Sequence, residues 1–150
     1  MSSNEGQEGL VSACLLTAGQ YSEMGLHDEA AKVLKAALSI DPDNYEILTN
    51  LASAYCEQKK YDDALPHLQH AHRLNPTDYI AVAMMGHALA FSERWRAAIE
   101  QLEILYPLNQ YEALKLFHNL FASFNTRLFD GLLGASDKYD DQVRESNPVA

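Results

Sequence analysis

The densest group of side chains able to do chemistry is His67, His70 and His72, packed into one short stretch. On a helix His67 and His70 stand three apart and share a face, which is workable spacing for a metal ion. Two histidines alone are an incomplete ligand set, and a solvated or half-packed helix surface accounts for them equally well. Cys14 sits at a packing position and reads as inert core. Cys56 has Glu57 beside it and no neighbouring base, so nothing would turn its thiol into a nucleophile. Gly131 and Gly134 are not followed by Lys-Ser or Lys-Thr, so no phosphate-cradling loop is formed. No Gly-x-Ser-x-Gly, Cys-x-x-Cys or His-Glu-x-x-His stretch occurs either. The expectation is therefore no catalytic residue, no metal and no cofactor. Binding is the class to pursue.

Composition narrows the partners. The 150 residues carry 21 acidic and 11 basic side chains, a formal charge of −10. Nucleic acid and anionic membranes need clustered Lys and Arg, and neither is expected here. The acidic charge is spread evenly along the chain, as solubility requires, with no dedicated acidic site. The longest nearly uncharged apolar stretch, Tyr79 to Phe91, is 13 residues, too short to cross a bilayer. Two cysteines cannot build a disulfide framework, and the first residues lack the basic start and apolar run of a signal peptide. A cytoplasmic location is the expectation.

What positions any binding surface is a repeat. Pro42 and Pro76 are 34 residues apart, and Tyr45 and Tyr79, and Tyr21 and Tyr55, keep the same spacing. Three blocks follow, 11–44, 45–78 and 79–112. Their eighth residue is small (Ala18, Ala52, Gly86), their twentieth is alanine (Ala30, Ala64, Ala98), and their twenty-fourth is leucine (Leu34, Leu68, Leu102). The seventeenth is a ring: His27, Tyr61, Trp95. Apolar residues recur at helical intervals within each block, and a small residue facing alanine lets two antiparallel helices approach closely. Helices are predicted near 9–24, 28–40, 44–57, 62–74, 78–91 and 94–106. Asp28 and Asp62 are expected to cap the second helices, Asp41-Pro42 and Asn75-Pro76 to stop them, and Pro66 to sit in an opening turn.

This pattern resembles the tetratricopeptide repeat, over roughly 100 residues and most closely in the second block. There Leu51, Ala52, Tyr55, Ala64, Leu68, Ala71 and Pro76 stand at the family's positions. The third block departs, with Leu89, Leu105 and Gln110 at the places of the tyrosine, an alanine and the closing proline, and with Pro107 three residues early. The resemblance implies an all-α, right-handed superhelical solenoid of three helix pairs plus a C-terminal helix. The expected organisation is a flexible N-terminus over 1–8, a repeat domain over 9–134 with its terminal helix at 110–133, and a flexible tail over 135–150.

The same resemblance implies a concave groove lined by the first helix of each repeat. Carried onto this sequence, its principal residues are Leu15, Leu16, Asn50, Ser53, Ile80, Met84, His87 and Phe91, with Leu114, Phe117, His118, Phe121, Phe124 and Asn125 extending it if the terminal helix continues the array. The family's best-known use of this groove, a cationic clamp on a heat-shock chaperone's C-terminal carboxylate, is not expected. The places it needs hold Leu15, Gly19, Asn50, Ile80 and Met84, so every cation is missing. The expected partner is a protein or peptide with an apolar segment, held by an adaptor or chaperone. Size, repeat number, charge and groove character also resemble the bacterial type III secretion chaperones.

The terminal helix carries more apolar residues than one buried stripe needs. Phe117, Phe121, Phe124 and Leu128 either cover the third repeat or form a second contact surface, for a client or for another copy of the chain. In the latter case the protein would be a self-assembling scaffold and a homo-oligomer.

Overall fold

The computed structural model describes residues 2–123 and 125. The far end of the expected terminal helix, including Phe124 and Leu128, and the tail over 135–150 lie outside the described residues. The described residues form seven helices and no strand: α1 (Ser2–Glu23), α2 (His27–Ile40), α3 (Tyr45–Glu57), α4 (Tyr61–Leu74), α5 (Tyr79–Phe91), α6 (Trp95–Leu108) and α7 over 110–123, with residue 125 also helical. From α1 to α6 each helix packs on the next, and α3 also touches α5. This is the stacked-pair solenoid that the 34-residue period requires.

The pairs close on their smallest residues. Ala30, Ala64 and Ala98 are all 0% exposed, and Ala18, Ala52 and Gly86 of the partner helices are buried as well. A Cβ on Gly86 would collide with Leu116 Cδ2 from α7, so glycine is needed for that close approach. Among the described residues no polar or charged residue is buried. The core is therefore held by shape and apolar burial.

Within each pair the same three-residue turn recurs. Gly25, Lys59 and Glu93 take positive φ, and the next residue's N–H (Leu26, Lys60, Arg94) reaches back to the carbonyl of Tyr21, Tyr55 or Leu89. This left-handed C-terminal cap satisfies carbonyls that the helix end leaves free. It also places α2, α4 and α6 directly after Leu26, Lys60 and Arg94, with no side-chain N-cap. Asp28 and Asp62 accordingly do not cap, as the sequence suggested, but sit inside the first turn. There they favour the helix dipole and pair with Lys60 and Arg94 of the following turn.

Between pairs the caps come from side chains. Asn44 Oδ1 accepts from the Ile47 N–H at 3.1 Å, and Asp78 Oδ1 from Ile80 at 2.9 Å. Asp41 and Asn75 close the preceding helices. At the third junction one residue does both jobs. The Asn109 N–H bonds the Leu105 carbonyl, closing α6, while its Oδ1 accepts from the Glu112 N–H at 3.1 Å, opening α7. The junction is three residues shorter, and Pro107 is carried inside α6. Counted from the N-cap, buried Ala113, Leu116 and Leu120 stand at the places of Leu48, Leu51 and Tyr55 after Asn44. The 34-residue extrapolation was thus three residues out in α7. Tyr111, Leu114, Lys115, His118, Phe121 and Ala122 hold the groove places, and Phe117 takes the place of Ala52 and Gly86.

Two further expectations change. α1 begins at Ser2, ahead of the start at residue 9 read from the sequence, because extending a helix already anchored on α2 is cheap and Glu5, Gln7 and Glu8 are good helix formers. Pro66 is the sixth residue of α4, a turn later than its ring is best tolerated. It is exposed, so water can serve the carbonyl that loses its partner.

Two stability outcomes follow. Ala64→Leu inserts three carbons at a fully buried helix crossing and should lower stability by about 1–3 kcal/mol in denaturant titrations. An unchanged midpoint would mean that α3 and α4 do not close there. Asn109→Ala removes a side-chain cap and should cost about 1 kcal/mol. A loss no larger than that of an exposed surface control would mean that the shortened junction does not depend on this amide.

Candidate binding groove

The turns and small-residue contacts orient α1, α3 and α5 side by side, and their free faces form two clefts. The first, about 390 Å³, lies between α3 and α5 and is lined by Ser53, Cys56 and Glu57 on one side and Met84, His87 and Phe91 on the other. Lys59 and Tyr61, from the turn and the start of α4, close its end. The second, about 610 Å³, lies between α1 and α3, where Leu15, Leu16, Gly19 and Glu23 face Glu46 and Asn50.

The structure therefore brings Ser53, Met84, His87 and Phe91 together, and separately Leu15, Leu16 and Asn50. Ile80 lines neither cleft and is 40% exposed near the start of α5. Tyr61 was missed as a site residue, although its ring stacks on Phe91 with centroids 6.1 Å apart. The signal was present in the ring at the seventeenth place of each block, which the register sets beside the end of the next repeat's first helix. Phe91, 64% exposed, projects from this stack into the cleft.

The cleft floor carries little charge. Burial, with a smaller contribution from Glu57, pushes the Cys56 thiol up to about 11, so it is a neutral thiol and a poor nucleophile near neutral pH. Burial also lowers the pKa of His87; Lys115 acts in the same direction and Glu112 opposes it. The Asn119 amide donates to His87 Nδ1 at 3.4 Å, which leaves the ring proton on Nε2. Protonation would set two donors face to face.

The histidines of α4 have other partners. His67 stacks on Tyr55 at 5.9 Å, and His70 Nε2 lies 2.8 Å from Asp43 Oδ1. Among the described residues no group of three or more His, Cys, Asp or Glu is placed to hold a metal ion. No described helix is long and apolar enough to cross a membrane. Of the suggested second contact surface, Phe117 and Phe121 are 54% and 56% exposed and stack on each other.

The pH dependence has a definite sign. His87 and His67 both titrate below their ordinary value of 6.5, chiefly because they are buried. The folded chain then binds fewer protons than the unfolded chain just below that pH. The associated stability is complete above about pH 6.5 and is lost as the pH falls further. Melting temperature should drop between about pH 7.5 and about pH 5.5, and less steeply in His87→Gln, which cannot titrate. An equal slope in that variant would show that His87 is not the group being charged.

A family model for the tetratricopeptide repeat matches residues 21–65. No curated protein sequence matches the chain. Among solved structures, the first TPR domain of human RPAP3 is 25% identical, over 77% of this chain and 96% of that one, with a TM-score of 0.67. MamA MSR-1 is also 25% identical, over 91% of this chain and 79% of that one, at 0.68. The first TPR of Spaghetti, bound to the HSP90 peptide SRMEEVD, shares the fold at 24% identity and a TM-score of 0.70, covering 77% and 93%. With its helix pairs in a 34-residue register, the family-model match over residues 21–65 and this shared architecture, the chain has the fold of the tetratricopeptide-repeat proteins.

Proposed function

We propose that this protein is a non-enzymatic binding module, an adaptor or chaperone, that holds an apolar segment of a partner protein in the cleft between α3 and α5. The observation that carries this reading is the convergence of Met84, Phe91, Tyr61 and an uncharged Cys56 and His87 on one concave surface. Methionine and exposed aromatic rings suit recognition of apolar side chains, because they adapt their shape and lose little hydration. Burial of about four such side chains would contribute roughly 6–12 kcal/mol before the costs of association and ordering.

The peptide in the Spaghetti structure, SRMEEVD, is acidic at its C-terminal end. The present groove is a poor match for such a ligand. Glu23 and Glu46 line the α1–α3 cleft and Glu57 the α3–α5 cleft, where Lys59 stands at the end. A carboxylate would lose hydration there and meet like charges. A secretion chaperone, which shields an apolar stretch of its cargo until export, is a narrower form of the same reading. Leu15, Leu16 and Asn50 would then hold the continuation of the bound segment along the groove.

The experiment compares wild type with Met84→Glu as baits in extract from the native cell. A carboxylate at the centre of the cleft should lose the captured partner by at least about tenfold, about 1.4 kcal/mol, while helicity and melting temperature stay unchanged. A folded Met84→Glu protein that retains the partner at full strength would place binding elsewhere.

A further inference from the structure

The third helix pair differs from the first two in what covers it. Leu34 and Leu68 are 1% and 0% exposed, whereas Leu102, their counterpart in α6, is only half-buried. Ala31 and Leu65 are buried, while Ile99 in the same place is 49% exposed. In the inner repeats a whole following pair packs over these positions; α6 is followed by α7. What is left open is a cleft of about 280 Å³ lined only by apolar side chains: Trp95, Ile99 and Leu102 of α6 and Phe117, Leu120 and Phe121 of α7. Phe117 and Phe121 together present about 200 Å² of ring surface to it. A contiguous patch of this kind on a water-facing surface calls for a cover.

The chain itself supplies one. Residues 123 and 125 are still helical, so α7 runs on past the place where α1, α3 and α5 turn. A further 25 residues follow. Their large apolar residues are concentrated at the start, as Leu128, Phe129, Leu132 and Leu133, in a spacing that gathers on one face of a helix. From Asp137 onward charged and polar residues dominate. We infer that residues 128–133 fold back over the α6–α7 cleft, so that the chain caps the open end of its own array.

A second copy is the competing occupant, and two considerations disfavour it. A tether of a few residues gives the segment an effective concentration on the order of millimolar at the cleft, with no loss of translational freedom. A second copy brings another −10 of charge to the same place. The large ring of Phe117, where inner repeats have Ala52 and Gly86, also prevents a helix from approaching as closely as α4 or α6 does. It suits a short apolar segment that lies across the rings. This inference does not depend on what the groove between α3 and α5 binds.

Trp95, the chain's only tryptophan, lines the cleft and reports on it directly. The test uses the full chain and the double variant Phe129→Ser, Leu132→Ser, whose changes lie outside the described fold. In wild type, indole emission should be blue-shifted and shielded from acrylamide, and it should stay so across a wide dilution series. In the variant, emission should move to the red, quenching should become faster, and trypsin should cut sooner after Arg127, with helicity retained. Shielding that fades on dilution would assign the cleft to a second copy and overturn the inference. Quenching in wild type as fast as in the variant would overturn it too, as would a variant that stays as shielded as wild type.

Discussion

The structure depends on how closely two antiparallel helices can approach. Ala30, Ala64 and Ala98 are completely buried, and the partner helices bury Ala18, Ala52 and Gly86. No polar or charged residue is buried in the described core, so the small residues decide which faces meet. That geometry then dictates the turn. Its central residue must be left-handed, and Lys59 and Glu93 accept φ values of 58° and 63° where Gly25 adopts 74° without penalty. A side chain in that conformation costs about 1–2 kcal/mol, which two of the three turns sustain because the pairing is worth more.

Where the repetition ends, a single amide changes the outcome. Asp41 and Asn44 divide between them the work that Asn109 does alone. The deletion of three residues leaves the start of α7 tied to its cap but turns every face read from the 34-residue period. Three residues are about 300° around a helix, so a face assigned three residues out is rotated by about 60°. A rotation of that size keeps part of an assignment and loses the rest. Leu114, His118 and Phe121 hold groove places in both readings, while Phe117 moves to the side where a pair partner would stand.

This explains which parts of the protein were legible in the sequence. The paired helices and the small-residue contacts were legible because the same constraint is written three times, in alanines and leucines at fixed places. Asp41 and Asn75 were legible as stops because proline follows each of them. The second-helix starts were not, since Asp28 and Asp62 look like caps and the true start is a backbone turn whose residues, Gly25, Lys59 and Glu93, share a conformation but no chemistry. Most of the groove could be placed once the register was known. Tyr61 was overlooked, although the ring at the seventeenth place marked it, because it belongs to a second helix and reaches the cleft through its stack on Phe91.

The same constraint separates the two faces of each first helix. Positions that face a neighbouring helix are filled by buried apolar residues, and the concave positions are left free to carry other chemistry. Here they hold a thioether, two stacked rings, a thiol and an imidazole, with Glu57 and Lys59 as the cleft's charges. Burial keeps both Cys56 and His87 uncharged near neutral pH. A charged group placed on that floor would lose its water with only Glu57 or Lys59 as a partner of opposite sign, whereas an apolar side chain would lose nothing. Discrimination by such a cleft would therefore come from what the wrong ligand forfeits more than from any one contact the right ligand makes.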